Sequence, residues 1–152
     1  NWQLRLSLYG ANAPPLAALL DTGFLLRDPL SGQSPILVSY NSLRGTLPPA
    51  ISGFLERYFA GACPEFPPGI PVRLIPCKTA GGMRTLPAVG GFFARLSGPG
   101  NPRQAERVLV VFTDQTLADG SVQALFGKEF YHTTRPLREP AASAGRERSA
   151  VE

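Results

Sequence analysis

A mainly β single domain with one or two short helices is the fold class the sequence predicts, and three observations predict it. Sixteen glycines and sixteen prolines cut the 152 residues into short segments, which favours strands and turns over long helices. Residues 2–9 alternate apolar and polar side chains, the period of a half-buried strand. Residues 108–112, Val-Leu-Val-Val-Phe, form the continuous β-branched and aromatic run expected of a central strand. An apolar fraction of 43% against 17% charged residues suits a folded globule of one domain.

Taken in order, the first strand turns at residues 10–15 and returns through Ala17, Ala18, Leu19 and Leu20, so the opening hairpin presents Asp21 at its end. Thr22 and Gly23 follow as a turn, residues 28–32 (Asp-Pro-Leu-Ser-Gly) as another, and residues 34–39 as the next strand. From 46 to 59 the spacing changes. Ile51, Phe54, Leu55, Tyr58 and Phe59 recur at helical intervals, behind prolines and ahead of Gly61, which predicts a short amphipathic helix with its aromatic stripe in the core.

Residues 61–71 read as a Gly- and Pro-rich loop, 72–76 and 86–89 as strands flanking a glycine-rich tip, and 92–96 as a separate strand. The tip is Ala80, Gly81, Gly82 and Met83. Two readings stay open for it: a mobile flap that closes over a peptide, or an ordinary surface hairpin with strands made irregular by Pro76 and Pro87. Residues 114–120 are loop, and the segment 122–127 ends in the apolar, apolar, glycine sequence of Leu125, Phe126 and Gly127. Residues 1–138 are expected to form the folded domain and 139–152, rich in Ala, Ser, Gly, Arg and Glu, a disordered polar tail.

Asp21 is the residue whose context points to chemistry. Its apolar lead-in is expected to deliver the carboxylate at the end of a buried strand, where desolvation tunes proton affinity. Thr22 offers a hydroxyl to hold the loop, and Gly23 lets another backbone come close. The same tripeptide also makes a good structural turn. The strand, connection and strand around it, with the later Leu125, Phe126 and Gly127, give the order of one aspartic-protease lobe, a retropepsin-like barrel. Aspartic proteolysis needs two carboxylates sharing a proton, one acting as base toward water and one as acid toward the carbonyl oxygen. One Asp-Thr-Gly in a chain too short for two lobes leaves the second aspartate to a second copy across a two-fold axis, so a homodimer is expected. Asp28, Asp114 and Asp119 lie in turn contexts and are poor second candidates.

The run Leu20-Asp21-Thr22-Gly23, with Leu25, residues 28–31 and residues 34–38, resembles the peptidase domain of the sporulation sigma-E factor processing peptidases of endospore-forming bacteria. Residues 73–82 with 86–89 and the segment 123–127 are similar to further shared blocks of that family. The resemblance implies a membrane-associated aspartic endopeptidase. In it, a multi-span membrane region precedes a peptidase domain that faces the mother-cell cytoplasm. It implies a homodimer sharing two copies of Asp21, with Thr22, Gly23, Leu125, Phe126 and Gly127 supporting the active-site loop, and a pro-sigma factor as substrate. An intercompartment signalling protein acting through the membrane region is the further partner it implies. Two departures stand out: Phe24 where the family has a polar Asn, and Gly90-Gly91 where a Pro-Asp pair is common. Phe24 keeps a second reading open, a catalytically silent dimerisation or peptide-binding module. Loss of a donor there should raise the acid constants of the dyad rather than abolish the reaction.

Other chemistries find little support. The net charge of +4 comes from 13 Arg and 2 Lys scattered along the chain, which does not imply nucleic-acid binding. Cys63 and Cys77 make no disulfide framework and suit a reducing compartment. His132 is the only histidine, in a polar run without a nucleophile elbow. No metal-ligand spacing, phosphate loop or dinucleotide fingerprint is present, so no metal and no cofactor are expected. No run approaches the roughly 20 apolar residues a bilayer span needs. The start at Asn1, without Met or signal peptide, suggests an excised domain.

Overall fold

In the computed structural model, which describes residues 1–79 and 81–137, alternation puts Leu4, Leu6 and Leu8 inside β1 (Trp2–Leu8) and leaves Gln3 and Arg5 outside. Tyr9 and Gly10 turn the chain with φ of 54° and 79°, the left-handed pair a two-residue hairpin requires, into the short β2 (Ala11–Asn12). β3 (Leu16–Leu20) then returns antiparallel to β1, with Leu16 opposite Leu4 and Ala18 opposite Trp2. β4 (Ile36–Ser39) leads to the predicted helix, α1 (Pro49–Phe59). Its proline-led first turn needs no amide donor there, and Ile51, Phe54 and Leu55 are its buried face.

The remaining elements are β5 (Val72–Thr79), β6 (Gly82–Ser97), β7 (Arg103–Thr113), β8 (Ala124–Phe126), α2 (Lys128–Thr133) and β9 (Arg135–Pro136). Six strands close on themselves in the order β1, β3, β8, β4, β7, β6 and back to β1. The result is a closed barrel with β2, β5 and β9 appended and two short helices. The β3–β8 and β4–β7 pairs are parallel and the other pairs antiparallel.

β7 explains its own sequence. Val108, Val110 and Phe112 face the main core with Leu4, Leu6, Ile36, Val38, Phe92 and Phe126. Leu109 and Val111 face a second, smaller core with Ile75, Cys77, Leu86 and Ala88. Burial on both faces is what a continuous apolar run buys in place of alternation.

Two sequence expectations are corrected here. Residues 86–89 and 92–96 are one strand, β6, because two β-bulges absorb the break: the register against β7 shifts around Gly90 and Gly91, and again opposite Glu106 and Arg107. Gly91 supplies the positive φ of 87° that such a bulge favours. The β5–β6 hairpin is also regular. It pairs without a break from Val72↔Val89 to Thr79↔Gly82, through Pro76 and Pro87. β5 is an edge strand, and Pro87 lies beyond Ala88, the last β6 residue paired with β7. Neither missing N–H therefore removes a bond that the inner ladder needs.

Candidate active site

Asp21 leaves the end of β3 beside β8. β8 runs between β3 and β4, parallel to the first and antiparallel to the second, with Leu19 opposite Leu125 and Leu20 opposite Phe126. The loop from Asp21 to β4 must therefore pass over the end of β8. There the Asp21 N–H donates to the Phe126 carbonyl at 2.8 Å. Gln123, just before β8, fastens the other end: its side chain accepts from the Ala17 amide and its own amide donates to the Ala17 carbonyl, both at 2.8 Å.

Within the loop the turn is held by Asp21 itself. Its carbonyl accepts from the Phe24 amide at 3.0 Å and its Oδ1 from the Gly23 amide at 2.9 Å. Gly127 closes the arrangement from the far side. A Cβ at Gly127 would stand 3.0 Å from the Phe24 carbonyl oxygen and 3.2 Å from its ring, so glycine lets the loop settle onto β8 without displacement. Asp21 and Gly23, from one segment, and Phe126 and Gly127, from a distant one, thus lie against each other, with Leu125 paired to Leu19 in the adjoining strand and Thr22 in the same turn. Phe24 joins them through its backbone and ring.

The environment of Asp21 differs from the expected buried strand end. Asp21 is half-exposed, Thr22 and Gly23 are exposed, and Leu19, on the same side of β3, is 36% exposed. The physical reason is the alternation of β3: Leu16 and Ala18 fill the barrel, and the opposite face, with Ala17 half-buried and Leu19 exposed, is left largely open by the described residues. Thr22 makes no side-chain hydrogen bond among the described residues, so the hydroxyl is not what holds the turn.

Asp28 contradicts its reading as a plain turn residue. It is 1% exposed. Its carboxylate accepts from the Leu30 amide at 3.1 Å, from the Ser31 hydroxyl at 2.7 Å and from the Arg73 guanidinium at the base of the β5–β6 hairpin. Burial pulls the Asp28 carboxyl upward, but these donors and the Arg73 charge outweigh it and hold it below the usual carboxylate range. Leu26 packs on the underside of the same hairpin, and Arg27 pairs with Glu129 of α2. The stretch that begins with Asp21 is therefore clamped on one side by α2 and on the other by the hairpin.

The tip of that hairpin carries three of the four candidate flap residues. Gly81 follows Thr79 after one residue, Gly82 has φ of 112° with its carbonyl accepting from the Thr79 hydroxyl at 2.8 Å, and Met83 is 70% exposed. Ala80 lies outside the described residues, as do Arg138 and the expected tail, residues 139–152. Below the tip the hairpin is braced. The Tyr58 hydroxyl donates to the Thr85 carbonyl at 2.7 Å, and Arg84 pairs with Asp114 at 2.8 Å. Two cavities, one beside Arg107 and one between Tyr58 and Met83, are lined by residues other than Asp21.

Cys63 and Cys77 are free thiols, the first exposed and the second buried. His132 sits in α2, beside Tyr131. Among the described residues no group of His, Cys, Asp and Glu is placed to hold a metal ion, and no helix is long and apolar enough to cross a membrane. Arg73, Glu129 and the buried state of Asp28 were not legible in the sequence; the Asp-Pro-Leu-Ser run signalled the turn but not its partner 45 residues away.

Comparison with known proteins returns one finding of substance. The family model Peptidase_U4, sporulation factor SpoIIGA, matches residues 4–129, a span that runs from within β1 to the start of α2. No curated protein and no solved structure matches the chain.

Proposed function

The chain belongs to the Peptidase_U4 family of sporulation factor SpoIIGA, and on that footing we propose that it is an aspartic endopeptidase whose catalytic pair is Asp21 and the Asp21 of a second copy. The observation that carries this reading is the half-exposed carboxylate at the end of β3, set in a loop fixed to Phe126 and Gly127. A second copy facing it would bring two carboxylates together and would also cover Leu19 and Thr22. One proton shared between the two gives each a separate role. The ionised carboxylate takes a proton from a water that attacks the scissile carbonyl carbon, and the protonated one gives its proton to the carbonyl oxygen. Collapse of the tetrahedral species passes a proton to the departing amine and returns the pair to its starting state.

The β5–β6 hairpin suits a flap, with Gly81, Gly82 and Met83 at its tip and the braces at Thr85 and Arg84 limiting the moving part to the end. An extended peptide held between flap and aspartates would bind by strand-like backbone hydrogen bonds. The N-terminal pro-segment of an inactive sigma factor is the substrate this reading favours, since a flexible segment reaches that form without unfolding a domain. In the full protein the domain would work at a membrane, under a signalling partner. Co-expression of the membrane-linked protein with its pro-sigma factor tests the reading. A shortened sigma factor is expected from wild type and none from Asp21→Asn. Shortening by the Asp21→Asn protein would overturn the assignment.

A further inference from the structure

Arginines that are far apart in the sequence stand side by side in the sheet. Strand register places Arg5 of β1 opposite Arg95 of β6, Arg95 opposite Gln104 of β7, and Gln104 opposite Arg135 of β9. Directly paired residues share a face, so three guanidinium groups project from one row across four adjacent strands. Arg5, Arg95 and Arg135 are all exposed. Arg5 and Arg95 make no ion pair among the described residues, and Arg135 has only Glu106, at 3.6 Å. Like charges directly opposite one another weaken a sheet, and nothing in the barrel requires them there.

At its β9 end the row runs into a cavity of about 300 Å³ lined by Gln33, Glu106, Arg107, Thr133 and Arg135 among others. Arg107 holds φ of 54° at the β7 bulge, a conformation that glycine adopts freely and other residues adopt at a cost. Its carbonyl accepts from the Gln33 side chain at 2.9 Å, which keeps the bulge in place. An opposed arginine pair and a strained arginine, on one continuous surface, are two separate departures from what stability alone would select.

We propose that this surface is a docking site for an acidic polypeptide segment, separate from the peptide-bond chemistry at Asp21. Charge complementarity selects the class of partner, and spacing selects its form. Three strand steps from Arg5 to Arg135 span about 14 Å, and carboxylates at positions one, three and five of an extended chain span about 14 Å as well. Nucleic acid fits less well: single strands are held by exposed aromatic platforms, and the aromatic residue flanking the row, Phe93, is half-buried. The chain's own tail is a poor occupant, since residues 138–152 hold three Arg and three Glu.

Fluorescence anisotropy of the full 152-residue chain with a labelled pentapeptide bearing glutamate at positions one, three and five reads the surface directly. Binding is expected to weaken roughly tenfold as salt rises from about 50 to about 200 mM, and by at least about tenfold in the Arg5→Gln/Arg95→Gln protein. That variant should melt no lower than wild type, because it removes a repulsion. Arg107→Gly should bind the probe more weakly and melt higher. Equal binding of the glutamine version of the peptide, or unchanged binding by the double variant, would overturn the proposal. A short single-stranded DNA bound more tightly than the glutamate probe would assign the surface to nucleic acid instead. A tenfold gain in probe affinity on removing residues 138–152 would make the tail its occupant.

Discussion

Asp21 and Asp28 lie seven residues apart on one loop and are treated in opposite ways. Asp28 is 1% exposed, with its carboxylate occupied by an amide, a hydroxyl and a guanidinium. Asp21 is half-exposed, and among the described residues its side chain accepts the Gly23 amide alone, at 2.9 Å. A carboxylate whose lone pairs are filled by fixed donors stabilises structure and is withheld from chemistry. One left open at a strand end, in a loop rigidly seated by its backbone, is positioned and available. The loop thus divides the work: Asp28 ties it to the β5–β6 hairpin through Arg73, while Asp21 holds its own turn and keeps its second carboxylate oxygen for chemistry.

Exchanging the two roles gives the largest expected effects. Asp21→Asn should leave stability within about 0.5 kcal/mol of wild type and lower peptide cleavage by about 10⁴-fold. Asp28→Asn should do the reverse, costing about 2 kcal/mol of stability as its charge-assisted hydrogen bonds weaken, with cleavage by the folded fraction largely retained. Denaturant unfolding and steady-state kinetics on the two proteins separate these outcomes, and a large stability loss in Asp21→Asn would erase the distinction.

A smaller effect is expected from Gly127. The Cβ of Gly127→Ala would press on the Phe24 backbone at 3.0 Å, and a loop displaced by a few tenths of an ångström should lower kcat by about tenfold. Stability should change much less, because the contact involves the loop and not the barrel. An unaltered kcat would show that the seat on β8 does not set the geometry of Asp21.

Smallest of the three is a pH effect confined to Asp28. Its folded carboxyl lies below the ordinary value of 3.8. The stability it contributes is therefore present above that value and is lost as pH falls through the lower folded one. The stability gap between wild type and Asp28→Asn should be constant from about pH 5 to pH 7 and should narrow below about pH 4. A gap that widens in acid would mean that Asp28 is buried without its compensating donors.

What the sequence revealed and what it concealed separate along the same line. Asp21, the first hairpin, α1 and the central strand β7 were legible because alternation, helical spacing and a buried apolar run are local patterns. Barrel closure through β1 and β6 was not, nor the single β6 across Gly90 and Gly91, nor α2 directly after Gly127, because these depend on pairings between distant segments. The burial of Asp28 depends on Arg73, and the row of Arg5, Arg95 and Arg135 exists only through strand register. Arg5, Arg95 and Arg135, scattered along the chain, are neighbours across the sheet.

The central claim is that catalysis needs Asp21 from two copies, and subunit mixing tests it most directly. Wild-type protein is held at a fixed concentration that sustains cleavage, and Asp21→Asn protein is added in about tenfold excess and allowed to exchange. If the pair is shared, most wild-type copies find an inactive partner, and activity should fall to about one tenth. Activity that stays at its starting value, with exchange confirmed by labelled copies, would show that a single Asp21 suffices and would contradict the account.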